Sequence, residues 1–228
     1  MKLPWSRREP LAPAAQAYLD AAEPDVGRKV PVDSLTFIVL DAETTGFDPE
    51  KDRLLSLAIL PAKAGRLEIG ALQSWVIFQP TAALTPAVRV HGILPAETAA
   101  GEPEPAVLAE LLPRLHGAVL VGHHLGFDLA MINAALRRHY RFQLKSPALD
   151  TAALAQRTLE AFRKTGYPGQ RMPSLDEVCT HCAITPLDRH TAPGDTFTTA
   201  EVFLVLCARL TRQLGRPLVA GDLPIVSG

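Results

Sequence analysis

The clearest hydrophobic pattern in the chain is a short apolar run that ends in two acidic residues. Phe37 to Leu40 are all apolar and rich in β-branched or aromatic types, which predicts a strand buried on both faces. Asp41 and Glu43 follow, separated only by the small residue Ala42. Side chains alternate along a strand, so both carboxylates are expected on the same side of the sheet.

The remaining apolar patterns predict an α/β fold. Apolar stretches at 53–60 and 67–79 predict a second and a third strand in an antiparallel meander with the first. Short runs at 118–121 and 148–150 predict two more strands. Helical spacing of apolar residues predicts helices at 106–115, 126–140, 151–163, 174–182 and 193–214. Strands followed by alternating helices and strands indicate a mixed central β-sheet flanked by helices.

Composition changes at both ends of the chain. Residues 1–33 are rich in proline, and their apolar residues from Leu11 to Ala22 recur at helical spacing. This spacing predicts a short amphipathic helix that packs either on the main domain or on a partner, whereas an appendage without a function of its own is the simpler alternative. The predicted organisation is a proline-rich N-terminal extension at 1–33, a main domain at 34–216 and a short tail at 217–228.

Overall composition is that of an ordinary globular protein and argues against several classes. The chain has 228 residues, 47% of them hydrophobic and 21% charged, with a formal net charge of −1. This charge disfavours a basic, repressor-like nucleic-acid binder, but not an enzyme with an acidic site and a local basic rim. There is no apolar run of about 18 residues and no apolar signal core at the N-terminus, so no membrane contact is expected. With three cysteines, a cytoplasmic protein is the natural expectation.

Asp41 and Glu43 need compensation, because burying an unpaired charge is costly. Carboxylate oxygens are suitable ligands for hard divalent ions such as Mg²⁺ or Mn²⁺. The alternative is a simple turn, since Asp and Thr are common where strands end and Gly46 can supply a turn conformation. This stretch alone leaves both interpretations open.

Two further stretches carry candidate chemistry. In 121–128 a predicted strand ends, a glycine-framed turn follows, and Asp128 falls in the first turn of a helix, where an acidic residue can simply act as a cap. In 189–195, His190 precedes a predicted helix and Asp195 lies in its first turn. His190 by itself is compatible with a metal ligand, a base or a surface histidine.

These motifs together resemble the DEDDh family of 3′→5′ exonucleases, in particular the exonuclease domain of the proofreading (epsilon) subunit of bacterial DNA polymerase III. Each motif alone is weak, but three in order over about residues 35–212 are a strong signal. The resemblance implies a ribonuclease H-like fold. The matching motifs are Asp41-x-Glu43-Thr44-Thr45-Gly46, Gly122-His123-x-x-x-Phe127-Asp128 and His190-x-Ala192-x-x-Asp195.

The resemblance also implies catalytic roles. Asp41 would bridge two divalent ions, Mg²⁺ or Mn²⁺, with Glu43 and Asp195 completing the site of one ion and Asp128 serving the other. His190 would be the general base that takes a proton from the attacking water. The chemistry fits, because two ions can activate water and stabilise the leaving oxygen, and an imidazole titrates near neutral pH.

Substrate contacts are implied by the same resemblance. The backbone of Thr44 and Thr45, the turn at Gly46 and the loop of His91 would hold the 3′-terminal nucleotide. Phe127 is the aromatic residue next to this site, with stacking on a base and a core position as the two alternatives.

The implied activity is release of nucleoside monophosphates from single-stranded or frayed 3′ ends. The Thr-Thr-Gly form of the first motif favours DNA, and RNA stays open because RNA-trimming exoribonucleases share these motifs. A second alternative is a polymerase-associated proofreading or interaction subunit, with a polymerase or another protein bound through residues 1–33.

Overall fold

The computed structural model describes residues 12–80, 92–166 and 169–228. Within these residues, seven strands form one mixed sheet in the order β3-β2-β1-β5-β6-β7, with β4 also paired to β2. β1, β5 and β6 run parallel, and the other pairings are antiparallel. The strands are β1 (Thr36–Thr44), β2 (Leu54–Lys63), β3 (Arg66–Leu67), β4 (Gln73–Val76), β5 (Ala118–Gly122), β6 (Ala148–Asp150) and β7 (Ile225–Val226).

Helices cover both faces of this sheet, so the predicted mixed sheet flanked by helices is confirmed. The helices are α1 (Pro13–Ala21), α2 (Pro95–Ala99), α3 (Glu104–Arg114), α4 (Gly126–Tyr140), α5 (Thr151–Thr158), α6 (Leu175–Cys182) and α7 (Ala192–Leu214). One core lies between the sheet and α1, α3 and α4, and a second lies under α5, α6 and α7. None of the helices in the described part of the chain combines the length and apolar character needed to cross a membrane.

Strand β1 separates the two cores, and its alternation sets the direction of the acidic residues. Phe37 and Val39 pack in the core under α7, whereas Leu40 packs in the opposite core. Asp41 and Glu43 continue the register of Phe37 and Val39, because side chains on a strand alternate between faces. Both carboxylates therefore point towards the side of the sheet that α7 covers.

The third predicted strand, at 67–79, is divided in the structure. It forms β3 and β4, with the 3₁₀ helix Ile69–Ala71 between them. Most side chains in this stretch are exposed, and Trp75 is the only buried one in β4. A continuous strand would have little to bury on either face, which explains why the pairing with β2 is interrupted.

Two segments near the second core also differ from their expected bounds. The helix expected at 151–163 ends at Thr158, where Leu159 adopts an extended conformation and is buried in the core. Residues 217–228, expected as a short tail, contribute the 3₁₀ helix Ala220–Asp222 and strand β7, which pairs with β6.

The amphipathic helix of the N-terminal extension is α1, and it packs on the main domain. Ala15 and Tyr18 are fully buried against the core formed with α3 and α4. The Tyr18 hydroxyl accepts hydrogen bonds from the backbone N–H groups of Lys145 (2.8 Å) and Ser146 (3.0 Å). The first eleven residues of the extension, including Leu11, lie outside the described residues.

We expect Tyr18→Phe to destabilise the fold by about 1–3 kcal/mol, because the backbone N–H groups of Lys145 and of the buried Ser146 lose their acceptor. Urea denaturation followed by circular dichroism measures the change. Tyr140→Phe is the matched control, since the Tyr140 hydroxyl makes a single hydrogen bond, to the carbonyl of Pro105 (2.6 Å), at a partly exposed position where water can replace it. Equal stability of the two variants would contradict the role assigned to Tyr18.

Candidate active site

Three carboxylates meet at the end of β1. Asp41 and Glu43 come from the strand, and Asp195 comes from the first turn of α7. One oxygen atom from each residue lies within 4.8 Å of the others. Oxygen ligands at this spacing match the coordination that a hard divalent ion requires. The two elements thus build a candidate metal site from carboxylates of β1 and α7 that lie more than 150 residues apart in the chain.

Asp128 reaches the same strand from its other side. The pairing of β1 with β5 covers only residues 36–39, so among the described residues no strand pairs with the end of β1 on this side. The backbone N–H of Ala42 instead donates a hydrogen bond to Asp128 Oδ1 (3.1 Å). Asp128 lies in the first turn of α4 and is buried. The fourth predicted carboxylate is therefore anchored to the backbone of Ala42, but it is not one of the three whose oxygens lie within 4.8 Å of one another.

The turn that precedes α4 is held in place by Asp150, for which the sequence motifs predicted no role. Its carboxylate accepts hydrogen bonds from the backbone N–H groups of His124 (3.2 Å), Leu125 (3.1 Å) and Ala152 (2.8 Å). Asp150 ends β6, and the carboxyl ends of the parallel strands β1, β5 and β6 lie at one edge of the sheet. An acidic residue at the end of a second predicted strand was the available signal.

The start of α7 is fixed by its cap and by close packing. Thr191 caps the helix by accepting a hydrogen bond from Gly194 N–H (3.1 Å). A Cβ atom on Gly194 would lie 2.2 Å from the carbonyl oxygen of Asp188, so a side chain cannot be accommodated there. The backbone N–H of His190 donates to Asp195 Oδ2 (3.2 Å), and the His190 side chain is exposed. His190 is thus tied to the carboxylate cluster through its backbone.

Arg189 is a second residue that the sequence analysis did not single out. Its guanidinium forms an ion pair with Asp195 and donates from Nε to Asp176 Oδ1 (2.6 Å). These contacts connect α6 with the first turn of α7. The signal in the sequence was a single cation directly before His190, in a segment expected to lie beside several acidic residues.

Without a bound cation, the carboxylates of this site repel one another, and their burial disfavours the charged form. Burial, followed by the charges of Asp128, Asp195 and Glu43, raises the pKa of Asp41 well above its usual range. Burial likewise raises the pKa of Glu43 to about 8 and that of Asp128 to about 7. Arg189 offsets part of this effect by lowering the pKa of Asp41 and of Glu43. Partly buried carboxylates that repel one another in this way are suited to bind divalent cations.

The predicted substrate residues of the first motif hold the turn after β1. Thr44 Oγ1 donates to the carbonyl of Gly46 (2.8 Å). Thr45 Oγ1 donates to Asp52 (2.8 Å) and accepts from the backbone N–H of Arg53 (3.0 Å). Gly46 packs so closely that an added Cβ would lie 2.6 Å from a carboxylate oxygen of Asp52. These side chains shape the backbone beside the carboxylates.

An aromatic pair follows this turn. Phe47 is 87% exposed and packs against the partly buried Phe127, with ring centroids 5.7 Å apart. Phe127 is a predicted substrate residue, and its role stays a prediction; Phe47, which directly follows Gly46, was not among the predicted residues. His91, the remaining predicted substrate residue, lies outside the described residues.

The sequence of the chain matches a known protein family. A family model for RNase T, described as Exonuclease, matches residues 38–203. The chain belongs to the exonuclease family. The expected assignment to the exonuclease class of enzymes is therefore confirmed at the level of the family.

Relatives of this exonuclease domain include subunits of DNA polymerases. A DNA polymerase III subunit epsilon-like protein of Rhodobacter capsulatus is 35% identical over 80% of this chain and 25% of its own length. A PolC-type DNA polymerase III of Thermotoga petrophila is 27% identical over 83% of this chain and 13% of its own length. The subunit epsilon of Aquifex aeolicus is 27% identical over 79% of this chain and 84% of its own length. The chain thus spans a quarter or less of the first two relatives.

Solved structures share the fold of this exonuclease domain. Escherichia coli exonuclease I in complex with a dT13 oligonucleotide superposes with a TM-score of 0.61 and 20% sequence identity. The match covers 80% of this chain and 43% of exonuclease I. The predicted ribonuclease H-like fold is confirmed by this likeness.

We expect the metal-free domain to lose stability as pH rises, and Mg²⁺ to restore it. The pKa of Glu43 is about 8 in the folded protein and about 4.3 when unfolded, so the folded state holds the proton more tightly and the free energy of unfolding falls as pH rises from about 4 to about 8. Mg²⁺ at about 100 times its Kd would raise the free energy of unfolding by about 2.7 kcal/mol, which corresponds to roughly 5–10 °C in Tm. Thermal melts at pH 6 and pH 8, with EDTA or Mg²⁺, measure both effects.

Glu43→Gln is the matched control, because its neutral amide imitates the protonated acid. In EDTA at pH 8 this variant should melt at a higher temperature than the wild type, and its response to Mg²⁺ should be smaller. A wild-type Tm that does not change with Mg²⁺ would contradict the candidate metal site.

Proposed function

We propose that this domain is a divalent-metal-dependent 3′→5′ exonuclease that releases nucleoside monophosphates from single-stranded or frayed 3′ ends, with DNA preferred over RNA. The observation that carries the proposal is the cluster of Asp41, Glu43 and Asp195 at the end of β1, with Asp128 anchored across the strand. Membership of the exonuclease family supports the reaction class.

The donor chemistry of the cluster fits Mg²⁺ or Mn²⁺, because all four side chains offer carboxylate oxygens to a hard cation. Asp41, Glu43 and Asp195 would hold one ion, and Asp41 and Asp128 would hold the second. When bound, such ions supply the activation of water at neutral pH and the stabilisation of negative charge on the leaving oxygen.

His190 is the proposed general base. Its side chain is exposed and its backbone N–H bonds Asp195, so the residue lies next to the cluster, and an imidazole accepts protons near neutral pH. In the proposed reaction it takes a proton from water as the water oxygen bonds to phosphorus. The bond from phosphorus to the 3′ oxygen of the preceding nucleotide breaks, and that oxygen takes a proton from solvent to become the new 3′ hydroxyl. A nucleoside 5′-monophosphate leaves.

The surface beside the cluster supports an unpaired 3′ end as the substrate. Phe47 exposes its ring next to the Gly46 turn and is backed by Phe127. Aromatic faces stack on unpaired bases largely without regard to sequence. A base within a duplex is not free to stack in this way, which supports single-stranded or frayed ends. The dT13 oligonucleotide bound by exonuclease I supports single-stranded DNA in particular.

A polymerase is the proposed protein partner, and the relatives that are DNA polymerase III epsilon subunits support it. The N-terminal extension was the predicted contact. Tyr18 and Ala15 of α1 are buried in the domain's own core, so a partner would have to use the exposed side of this helix.

The test of the proposed function is digestion of a 5′-labelled single-stranded DNA with Mg²⁺. We expect a ladder of progressively shorter labelled strands, which identifies 3′→5′ degradation, and no activity in EDTA. Asp41→Asn should lower kcat by about a thousandfold or more, because the residue shared by both ions is lost. His190→Ala should lower kcat by about 10²–10⁴-fold.

Asp33→Asn is the control for the loss of one carboxylate, since Asp33 is exposed just before the opposite end of β1. Its activity should equal that of the wild type. Full activity of Asp41→Asn, or release of labelled mononucleotide as the first product, would overturn the proposal.

We expect DNA to be degraded faster than RNA of the same sequence, by roughly tenfold or more in kcat/KM if the site discriminates against the 2′-hydroxyl. Matched 5′-labelled oligonucleotides measure the ratio. Substituting only the 3′-terminal deoxynucleotide by a ribonucleotide tests whether discrimination occurs at this residue. An equal or faster rate on RNA would instead support an exoribonuclease of the same family.

A further inference from the structure

Both carboxylate oxygens of Asp195 are engaged by the protein itself. Oδ1 is paired with the guanidinium of Arg189, and Oδ2 accepts the backbone N–H of His190 (3.2 Å). Asp195 is one of the three residues whose oxygens converge on the candidate metal site. A cation that approaches Oδ1 therefore competes with Arg189 for this oxygen.

Arg189 has a second anchor that it can keep when it is displaced. Its Nε donates to Asp176 Oδ1 (2.6 Å) on α6. The Asp176 side chain is 61% exposed, whereas that of Asp195 is 10% exposed. Arg189 thus bridges a buried carboxylate inside the site and an exposed one at its rim. The rim contact can hold the guanidinium after the inner contact is broken.

The charge of Arg189 acts on the whole cluster. Besides its ion pair with Asp195, the guanidinium lies close enough to Asp41 and Glu43 to offset part of their mutual repulsion. A divalent ion at this site would neutralise the same carboxylates. Arg189 and the ion therefore stabilise the cluster in the same way and compete for the same oxygen.

The backbone around Arg189 links this competition to His190. Asp188 and His190, on either side of Arg189, have φ values of 42° and 64°. Non-glycine residues adopt this left-handed region only where the surrounding contacts hold them there. The contacts here are the packing of Gly194 against Asp188 and the bonds of Arg189 and His190 to Asp195. Breaking the Arg189 pair removes one of these restraints.

We propose that Arg189 is a positioning residue that competes with the divalent ion for Asp195, so that ion binding releases Arg189 to Asp176 and repositions His190. This inference rests on the proposed function for its ion site. It predicts that the metal-free domain is held in a stable, inactive arrangement, and that His190 reaches its working position only when an ion is present.

The test is isothermal titration of Mn²⁺ into the full chain without nucleic acid. Arg189→Ala should bind Mn²⁺ about tenfold more tightly than the wild type, because a charge-assisted contact no longer has to be broken. Asp176→Asn should bind it more weakly, because the displaced guanidinium loses its second anchor. Arg189→Lys, which keeps the charge but cannot bridge both carboxylates, should fall between Arg189→Ala and the wild type.

Arg209→Ala is the matched control, since it removes one cation from the last part of α7, away from the acidic cluster, where Arg209 donates to the carbonyl of His181 (2.9 Å). Its Mn²⁺ affinity should be unchanged. Circular dichroism establishes that each variant is folded, and Arg189→Lys carries the test if Arg189→Ala is not. Affinity that is unchanged or weaker in both Arg189 variants would overturn the proposal, because Arg189 would then support the ion site.

The coupling to His190 has its own readout in the imidazole NMR signals. Mg²⁺, which is diamagnetic, should shift the His190 signal in the wild type, whereas metal-free Arg189→Ala should already show much of that shift. A His190 signal that Mg²⁺ leaves in place would overturn the coupling. Ion binding by a wild type that lacks nuclease activity would refute the proposed function and leave the competition standing. Nuclease activity with unchanged affinity in the Arg189 variants would refute only the competition.

Discussion

Repulsion among carboxylates at one end of a buried strand is the constraint around which this structure is arranged. Asp41 and Glu43 project from β1 on one side, and Asp195 faces them from α7. Burying like charges together is unfavourable unless hydrogen bonds, opposite charges or bound ions compensate them. Two groups supply such compensation. The backbone N–H of Ala42 in β1 donates to Asp128, and the guanidinium of Arg189, just before α7, pairs with Asp195.

The topology explains why these groups can meet. β1 extends beyond β5, so among the described residues no strand pairs with its end on that side and α4 can approach. The first turns of α4 and α7 both point at this open end, and a helix N-terminus favours negative charge. Asp150 positions α4 through hydrogen bonds to the turn before that helix. Gly194 positions α7, because without a side chain it packs closely against the backbone of Asp188.

The proposed function and the role of Arg189 follow from the same balance of charge. A site that gathers carboxylates stores unfavourable electrostatic energy without a cation, and that energy becomes available for binding an ion. An internal arginine at the site lowers this energy in the metal-free protein and thereby protects the fold. In the proposed arrangement Arg189 weakens ion binding, because it competes for Asp195. The position of the exposed His190 then depends on whether the ion is bound.

Much of this arrangement was predictable because it depends on local periodicity and on motif spacing. Alternation along β1 placed Asp41 and Glu43 on one side, and the helical patterns located Asp128 and Asp195 in first turns, as the structure has them. The division of 67–79 was not predictable in the same way, because its apolar residues do not reveal that few of them are buried. The same holds for α1, whose pattern is compatible with a partner or with its own domain.

The sequence by itself determined the class of fold and the residue types gathered for chemistry, since strand and helix periods and ordered motifs are properties of nearby residues. Only the tertiary structure decided which groups compensate the acidic strand end. The pairing of Arg189 with Asp195, the bond from Ala42 to Asp128 and the exposed stack of Phe47 on Phe127 depend on distances and burial between elements far apart in the chain. Electrostatic compensation acts through space, and the order of residues does not specify it.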